Sequence, residues 1–125
     1  DEDEYENNFV DIHNPYNISV EQLNQLMKEA QLFKRTDLKI TDVAHQLNTN
    51  RTYVSKIIND VNQTNFNDWV NGYRVEEAER LLKDDSYSKL SMLEISEMSG
   101  FASISAFYRV FKEKTGLSPG KYRSQ

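Results

Sequence analysis

The sequence contains no cysteine, which removes a disulfide framework, a thiolate zinc site and a thiol nucleophile together. No apolar run approaches the roughly 18 residues that a membrane-spanning helix needs, and no signal-peptide apolar core is present. There are two histidines, His13 and His45, and neither stands in a pattern with paired carboxylates or a nucleophile. No glycine-rich phosphate loop and no Ser/His/Asp constellation occurs, and Asp84-Asp85 reads as a loop rather than a metal site. A catalytic role therefore has no residues to carry it, and no cofactor or metal is expected. Strict apolar/polar alternation is scarce as well, so strands are not predicted.

What is present is a chain of 125 residues, long enough for one well-buried core with or without a tail. It begins at Asp1 rather than Met, which suggests a fragment or a processed form. The formal charge of −5 argues at first against a polyanionic partner, but its distribution reverses that reading. Asp1, Glu2, Asp3, Glu4, Glu6 and Asp11 place −6 at the start, so residues 17–125 sum to +1, with 15 Lys/Arg against 14 Asp/Glu. Beyond Gly100, Arg109, Lys112, Lys114, Lys121 and Arg123 face only Glu113. Local asymmetry steers a charged partner more than the total does. Residues 1–17 read as an acidic, flexible leader or linker.

The long segments repeat at 3.6 and predict an all-α fold of seven helices. The first follows Ser19, where S-V-E-Q is a capping-box pattern, and turns Leu23, Leu26, Met27 and Ala30 inward. A second covers Thr41–Leu47, with Val43, Ala44 and Leu47 buried. A third starts after Asn50, a good N-cap, and buries Val54, Ile57, Ile58 and Val61. The fourth runs from Phe66 to Lys83 behind Asn65, with Phe66, Trp69, Val70, Tyr73, Ala78, Leu81 and Leu82 inside. Ser91 opens the fifth through a second capping box to Glu94, Ser103 caps the sixth, and Ser118 caps the seventh with Pro119 at the first helical position. Residues 84–89 are predicted to be the main flexible connection. Phe101, Phe107, Phe111, Met27, Met92 and Met98 are assigned to the core, and His45 to its edge.

The middle of the chain repeats. Asn50 and Ser103, Lys56 and Arg109, Ile58 and Phe111, and Trp69 and Tyr122 are each 53 residues apart, whereas Val43 and Ile95 are 52 apart. The second copy therefore has one extra residue in its turn. Each copy is a short helix, a tight turn and a second helix with small, polar and cationic side chains, which is the helix-turn-helix plan. Ala44 and Ser96 are small where two helices must cross closely. Gly100 supplies a permissive backbone in one turn, and Asn48 tolerates a positive φ in the other. On the third helix Arg51, Thr52, Ser55, Lys56 and Asn59 share a face, as do Ser105, Ala106, Arg109 and Lys112 on the sixth. Arg and Lys donate to guanine O6/N7, Ser and Thr serve several bases, and Ala meets the thymine methyl. Arg51, Thr52, Ser55, Lys56, Asn59, Ser105, Ala106 and Arg109 are the candidate base readers. Asn50, Ser103, Tyr108, Lys112, Lys121 and Arg123 are the candidate phosphate contacts, the two caps because a helix N-terminus suits an anion.

The run I-S-E-M-S-G-F-A-S-I-S-A-F-Y-R-V-F-K-E-K-T-G-L-S-P-G-K-Y-R resembles the signature of AraC/XylS-type transcriptional regulators. The likeness extends upstream through D-V-A-H-Q-L-N-T-N-R-T-Y-V-S-K-I-I-N and N-G-Y-R-V-E-E-A-E-R-L-L, covering about residues 20–124. The forms L-N-T-N-R-T-Y-V-S and L-M-K-E-x-x-L-F are also similar to members from Bacteroidetes. The resemblance implies a domain over 18–125, divided into a first helix-turn-helix subdomain (18–63), a linker helix (64–84) and a second subdomain (85–125). It implies two reading helices in adjacent major-groove segments of double-stranded DNA, since 18 helical residues span roughly 27 Å against roughly 34 Å for a DNA turn. It further implies RNA polymerase as a partner, an N-terminal sensor or dimerisation region outside this chain, and a cytoplasmic, nucleoid-associated setting in a bacterium, with a membrane sensor possible only elsewhere in the full protein. Three positions depart from the family pattern. Gln63 stands where Gly is common, with Asn62 expected to supply the left-handed residue; Lys39 stands where a Ser/Thr cap is usual; and Ala106 replaces a larger side chain. The alternative is a helical protein-interaction module that turns the same faces toward an acidic partner.

Overall fold

The computed structural model describes residues 18–125, so the acidic segment 1–17 lies outside the described residues. These residues form seven α-helices and two 3-10 turns, with no strand among them. The helices are α1 (Val20–Glu29), α2 (Ile40–Gln46), α3 (Arg51–Asn62), α4 (Phe66–Lys83), α5 (Met92–Met98), α6 (Ile104–Thr115) and α7 (Pro119–Ser124). The 3-10 turns are Leu32–Lys34 and Asp85–Tyr87. No helix among the described residues is long and apolar enough to cross a membrane.

The chain divides into two compact units. The first holds α1, α2 and α3; the second holds α4 from Asn67 onward, α5, α6 and α7, together with Gln31–Asp37. That short stretch lies between α1 and α2 in sequence, and nothing in its periodicity assigned it to the second unit. In this division the long helix falls in the second unit from Asn67 onward.

In the first unit Leu23, Met27, Val43, Ala44, Val54 and Ile58 are buried, joined by Ile18 and Leu38. They lie at helical spacing, so each helix turns one stripe inward. Three expectations need correction. Ala30 is exposed because α1 ends at Glu29 and Ala30 is only its cap. Val61 keeps the phase of Val54 and Ile58, yet is 57% exposed, because the apolar stripe outruns the core in the last turn of α3. The left-handed residue after α3 is Gln63 (φ 53°), not Asn62, which is still helical.

In the second unit Val75, Ala78, Leu81, Leu82, Ile95, Phe101, Phe107, Val110 and Phe111 form one core, with Tyr87, Leu90, Met92 and Tyr122 packed against it. Phe107 meets Phe101 at 5.2 Å and Phe111 at 5.7 Å between ring centroids. Met98 is not in this core: the inward positions of α5 are Ile95, Ser96 and Ser99, and Met98 falls on the helix flank, 39% exposed. The stretch 84–89 is better held than its composition implied. Asp84 accepts from the Ser86 N–H at 2.9 Å and starts a 3-10 turn.

Glu77 is a charge the core tolerates only because it is paired. Arg80 donates to both of its carboxylate oxygens, at 3.0 and 2.8 Å, and Lys34 Nζ lies 3.5 Å away. The Arg80 guanidinium holds the Glu77 carboxyl below the ordinary carboxylate range, against burial that pushes it up, and Lys34 adds to the lowering. The stability from this cluster is therefore complete above the ordinary glutamate value of about 4.3 and is lost as pH falls through the lower folded value. Glu77→Gln is expected to flatten the acid limb of denaturant midpoints measured between about pH 5 and 3. Phe107→Ala should lower unfolding stability by about 3–5 kcal/mol in the same assay.

Candidate nucleic-acid interface

Each unit presents a second helix whose start is capped by a side chain. The Asn50 Oδ1 accepts from the Tyr53 N–H at 3.1 Å, and the Ser103 Oγ accepts from the Ala106 N–H at 3.1 Å. One orphan donor is thereby satisfied in each first turn, and the others keep the positive end of the helix dipole. The turns before them also match. Asn48 (φ 55°) and Gly100 (φ 95°) are both left-handed, and the following N–H groups, of Thr49 and Phe101, return to the carbonyls of Ala44 and Ser96 at 2.9 and 3.1 Å. Ala44 and Ser96 are buried, as a close crossing requires.

On α3, burial and exposure separate by face. Val54 and Ile58 point into the unit, while Arg51, Thr52, Ser55, Lys56 and Asn59 are all exposed and line one shallow concavity. Asp60 lines it too, a member the sequence reading passed over although it stands four residues after Lys56. Its carboxylate can accept from cytosine N4 and repels a phosphate.

On α6, Phe107, Val110 and Phe111 are buried, while Ser105, Tyr108, Arg109 and Lys112 are exposed and Ala106 is half-buried. The Tyr108 ring lies at 27° to that of Phe107, centroids 5.8 Å apart, so its outer edge is presented from a fixed base. Arg109 Nη1 lies 3.9 Å from Glu113 Oε1, with both side chains well exposed. An exposed pair of this kind is worth little and is readily exchanged for a stronger anionic partner. Lys121 is exposed on α7, where the Ser118 Oγ accepts from its backbone N–H at 3.2 Å.

Arg123 does not belong with these. Its guanidinium donates to the Leu90 carbonyl at 3.0 Å and the Tyr87 carbonyl at 3.2 Å, tying down the connection after α4. The two nitrogens that donate there are turned toward the protein rather than toward a phosphate. Lys114 is likewise engaged, 3.0 Å from Asp68. Lys39 does precede α2, but a lysine side chain accepts nothing; instead its backbone N–H donates to Asp42 Oδ2 at 2.9 Å, half of a capping box.

A family model described as a helix-turn-helix domain matches residues 43–125. The Msm operon regulatory protein of Streptococcus mutans is 31% identical over 103 residues, which is 82% of this chain and 36% of that protein. The chain belongs to the AraC/XylS-type helix-turn-helix family. Among solved structures, the C-terminal domain of AraT, a response regulator from Geobacillus stearothermophilus, aligns with a TM-score of 0.72 at 30% identity, covering 84% of this chain and 83% of that one. The DNA-binding domain of AdpA, solved in complex with a target DNA, shares the fold at a TM-score of 0.69 and 22% identity, covering 84% of this chain and 88% of that one. The chain spans about a third or less of the length of the curated AraC/XylS-type relatives it matches first.

Asn50→Ala and Ser103→Ala should each cost this AraC/XylS-type domain about 1 kcal/mol of unfolding stability. Arg123→Ala, which removes the guanidinium donors of the Leu90 and Tyr87 carbonyls, the second of which keeps the Leu90 N–H, should cost about 1–3 kcal/mol. Denaturant titration of the variants checks all three.

Proposed function

We propose that this chain is the sequence-specific DNA-binding part of a bacterial transcription regulator, with α3 and α6 each lying in one of two neighbouring major-groove segments. The observation that carries the reading is the same division on both helices: an apolar stripe turned inward, with Val54 and Ile58 on α3 and Phe107, Val110 and Phe111 on α6 buried, and an opposite face of polar and cationic side chains that is exposed apart from the half-buried Ala106. A helix meant only for solvent has no need of a short-side-chain face flanked by a capped N-terminus, whereas a groove about 12 Å wide admits a helix with that surface.

Arg51, Lys56 and Arg109 supply donors for guanine edges; Thr52, Ser55, Asn59 and Ser105 supply short hydrogen-bonding groups; Ala106 can meet a thymine methyl. Asn50, Ser103, Tyr108, Lys112 and Lys121 surround them and act on phosphates, which fixes register without reading sequence. The region that receives the signal lies in the part of the regulator this chain does not span, and RNA polymerase is the output partner of the DNA-bound state, in the cytoplasm. The relatives, operon regulatory proteins and a response regulator, support this role.

Labelled duplexes selected from a random pool should bind with an affinity that falls steeply as salt rises, log–log slope about −0.9 per phosphate neutralised. Arg109→Ala is expected to cost about 1–3 kcal/mol and to relax preference at one base step, whereas Lys121→Ala weakens all sequences alike and reduces the slope by about one. Absence of any retained duplex at low salt would overturn the reading.

A further inference from the structure

The two turns are built on one backbone pattern but not on one residue. Asn48 holds the left-handed position in the first, exposed; Gly100 holds it in the second, buried. Asn48 sits at φ 55°, within the left-handed region that L residues can enter, whereas Gly100 at φ 95° lies beyond it. The surroundings supply a second reason for glycine. A Cβ built on Gly100 would stand 2.3 Å from the Phe33 carbonyl oxygen, 2.8 Å from Lys34 Cα and 3.1 Å from Arg74 Nε. Backbone fills the space where a side chain would begin.

That backbone is the 3-10 turn Leu32–Lys34, and it is held on four sides within the second unit. Arg74 donates from Nε to the Phe33 carbonyl and from Nη2 to the Arg35 carbonyl, each at 2.7 Å. The Phe33 ring, buried, stacks on Tyr73 at 6.2 Å. Lys34 pairs with the buried Glu77. Charge-assisted bonds of this length are the strong ones, and two on one rigid guanidinium fix orientation as well as position. From Gly100 the path to the reading helix is short: Phe101 is buried against Phe107, and only Ala102 separates it from Ser103, the cap of α6.

We propose that Leu32–Lys34, locked by Arg74, is a backstop that sets the turn before the second reading helix, which makes Arg74 a positioning residue for base discrimination by α6. It lies on neither reading face. The consequence for specificity rests on the DNA-binding function proposed above; the mechanical part does not.

Arg74→Lys keeps the charge but replaces the planar fork with a single nitrogen that does not fix orientation, and Gly100→Ala adds the crowded Cβ. Amide hydrogen exchange on the free protein should show faster exchange at Gly100 and Phe101 in both variants, with Asn48 and Thr49 unchanged. Unchanged exchange at Gly100 and Phe101, or equal acceleration at all four, overturns the backstop whether or not the protein binds DNA. Because alanine at φ 95° is strained whatever surrounds it, Gly100→Ala only accompanies the test, and where Arg74→Lys fails to fold, Arg74→Gln carries it. On the selected duplex with every single-base substitution, Arg74→Lys should reduce discrimination about fivefold or more, within the range one good base contact supplies. The loss should fall at the steps whose preference Arg109→Ala also removes, and not at those governed by Lys56. A uniform loss across the site, or an unaltered preference profile with only a lower melting temperature, removes Arg74 as a positioning residue. Failure of the wild-type protein to bind any duplex would instead overturn the proposed function, and the exchange result would still judge the backstop.

Discussion

Everything the two helix-turn-helix pairs present depends on a reversal of the chain within a few residues. A left-handed residue makes that reversal possible without further length, because a positive φ turns the backbone out of one helix before the next begins. The following amide then returns to a carbonyl of the first helix, Thr49 to Ala44 and Phe101 to Ser96. Two helices so joined can cross closely only where a small side chain permits it, as Ala44 and Ser96 do. The second helix of each pair is thus pressed against its partner along one stripe and left open along the other. The open face is a by-product of the tight turn, and its chemistry is what remains free to vary.

Within the second unit the same turn carries a heavier load. Its aromatic core, with Phe107 and Phe111 fully buried, is of the kind that stabilises by area and by edge contacts. The unit also accommodates charges at its margins: Glu77 against Arg80 and Lys34, Arg74 against two carbonyls, Arg123 against two more. Each cation there is matched to a fixed acceptor, and removing Arg74 takes the guanidinium donor from the Phe33 and Arg35 carbonyls together. Arginine is suited to such places because its planar fork reaches two carbonyls at once and stays charged even where, as at Arg74, burial lowers its pKa.

The sequence made much of this legible for a definite reason. Helical phase, capping residues and turn residues are local, and all agreed on seven helices, with starts within a residue of those observed. Ser19, Ser91, Ser103 and Ser118 each cap the helix expected of them. The repeat at 53 residues exposed the paired architecture because equivalent positions meet equivalent neighbours. Two departures have local causes and one does not. Val61 and Ala30 sit at helix ends, where phase continues after the core has stopped, and Arg123 looks like any other exposed cation until its acceptors are known.

What the residues alone determined, then, is the helical content, the twofold repeat and the faces of α3 and α6, since each follows from neighbours three or four positions away. What only the tertiary structure decided is which cations are free and what packs against Gly100. Those answers depend on groups more than thirty residues apart, Arg74 with Phe33 and Arg123 with Leu90. A carbonyl carries no sequence signature, because every residue has one, so its pairing with a distant guanidinium becomes visible only once the chain has folded.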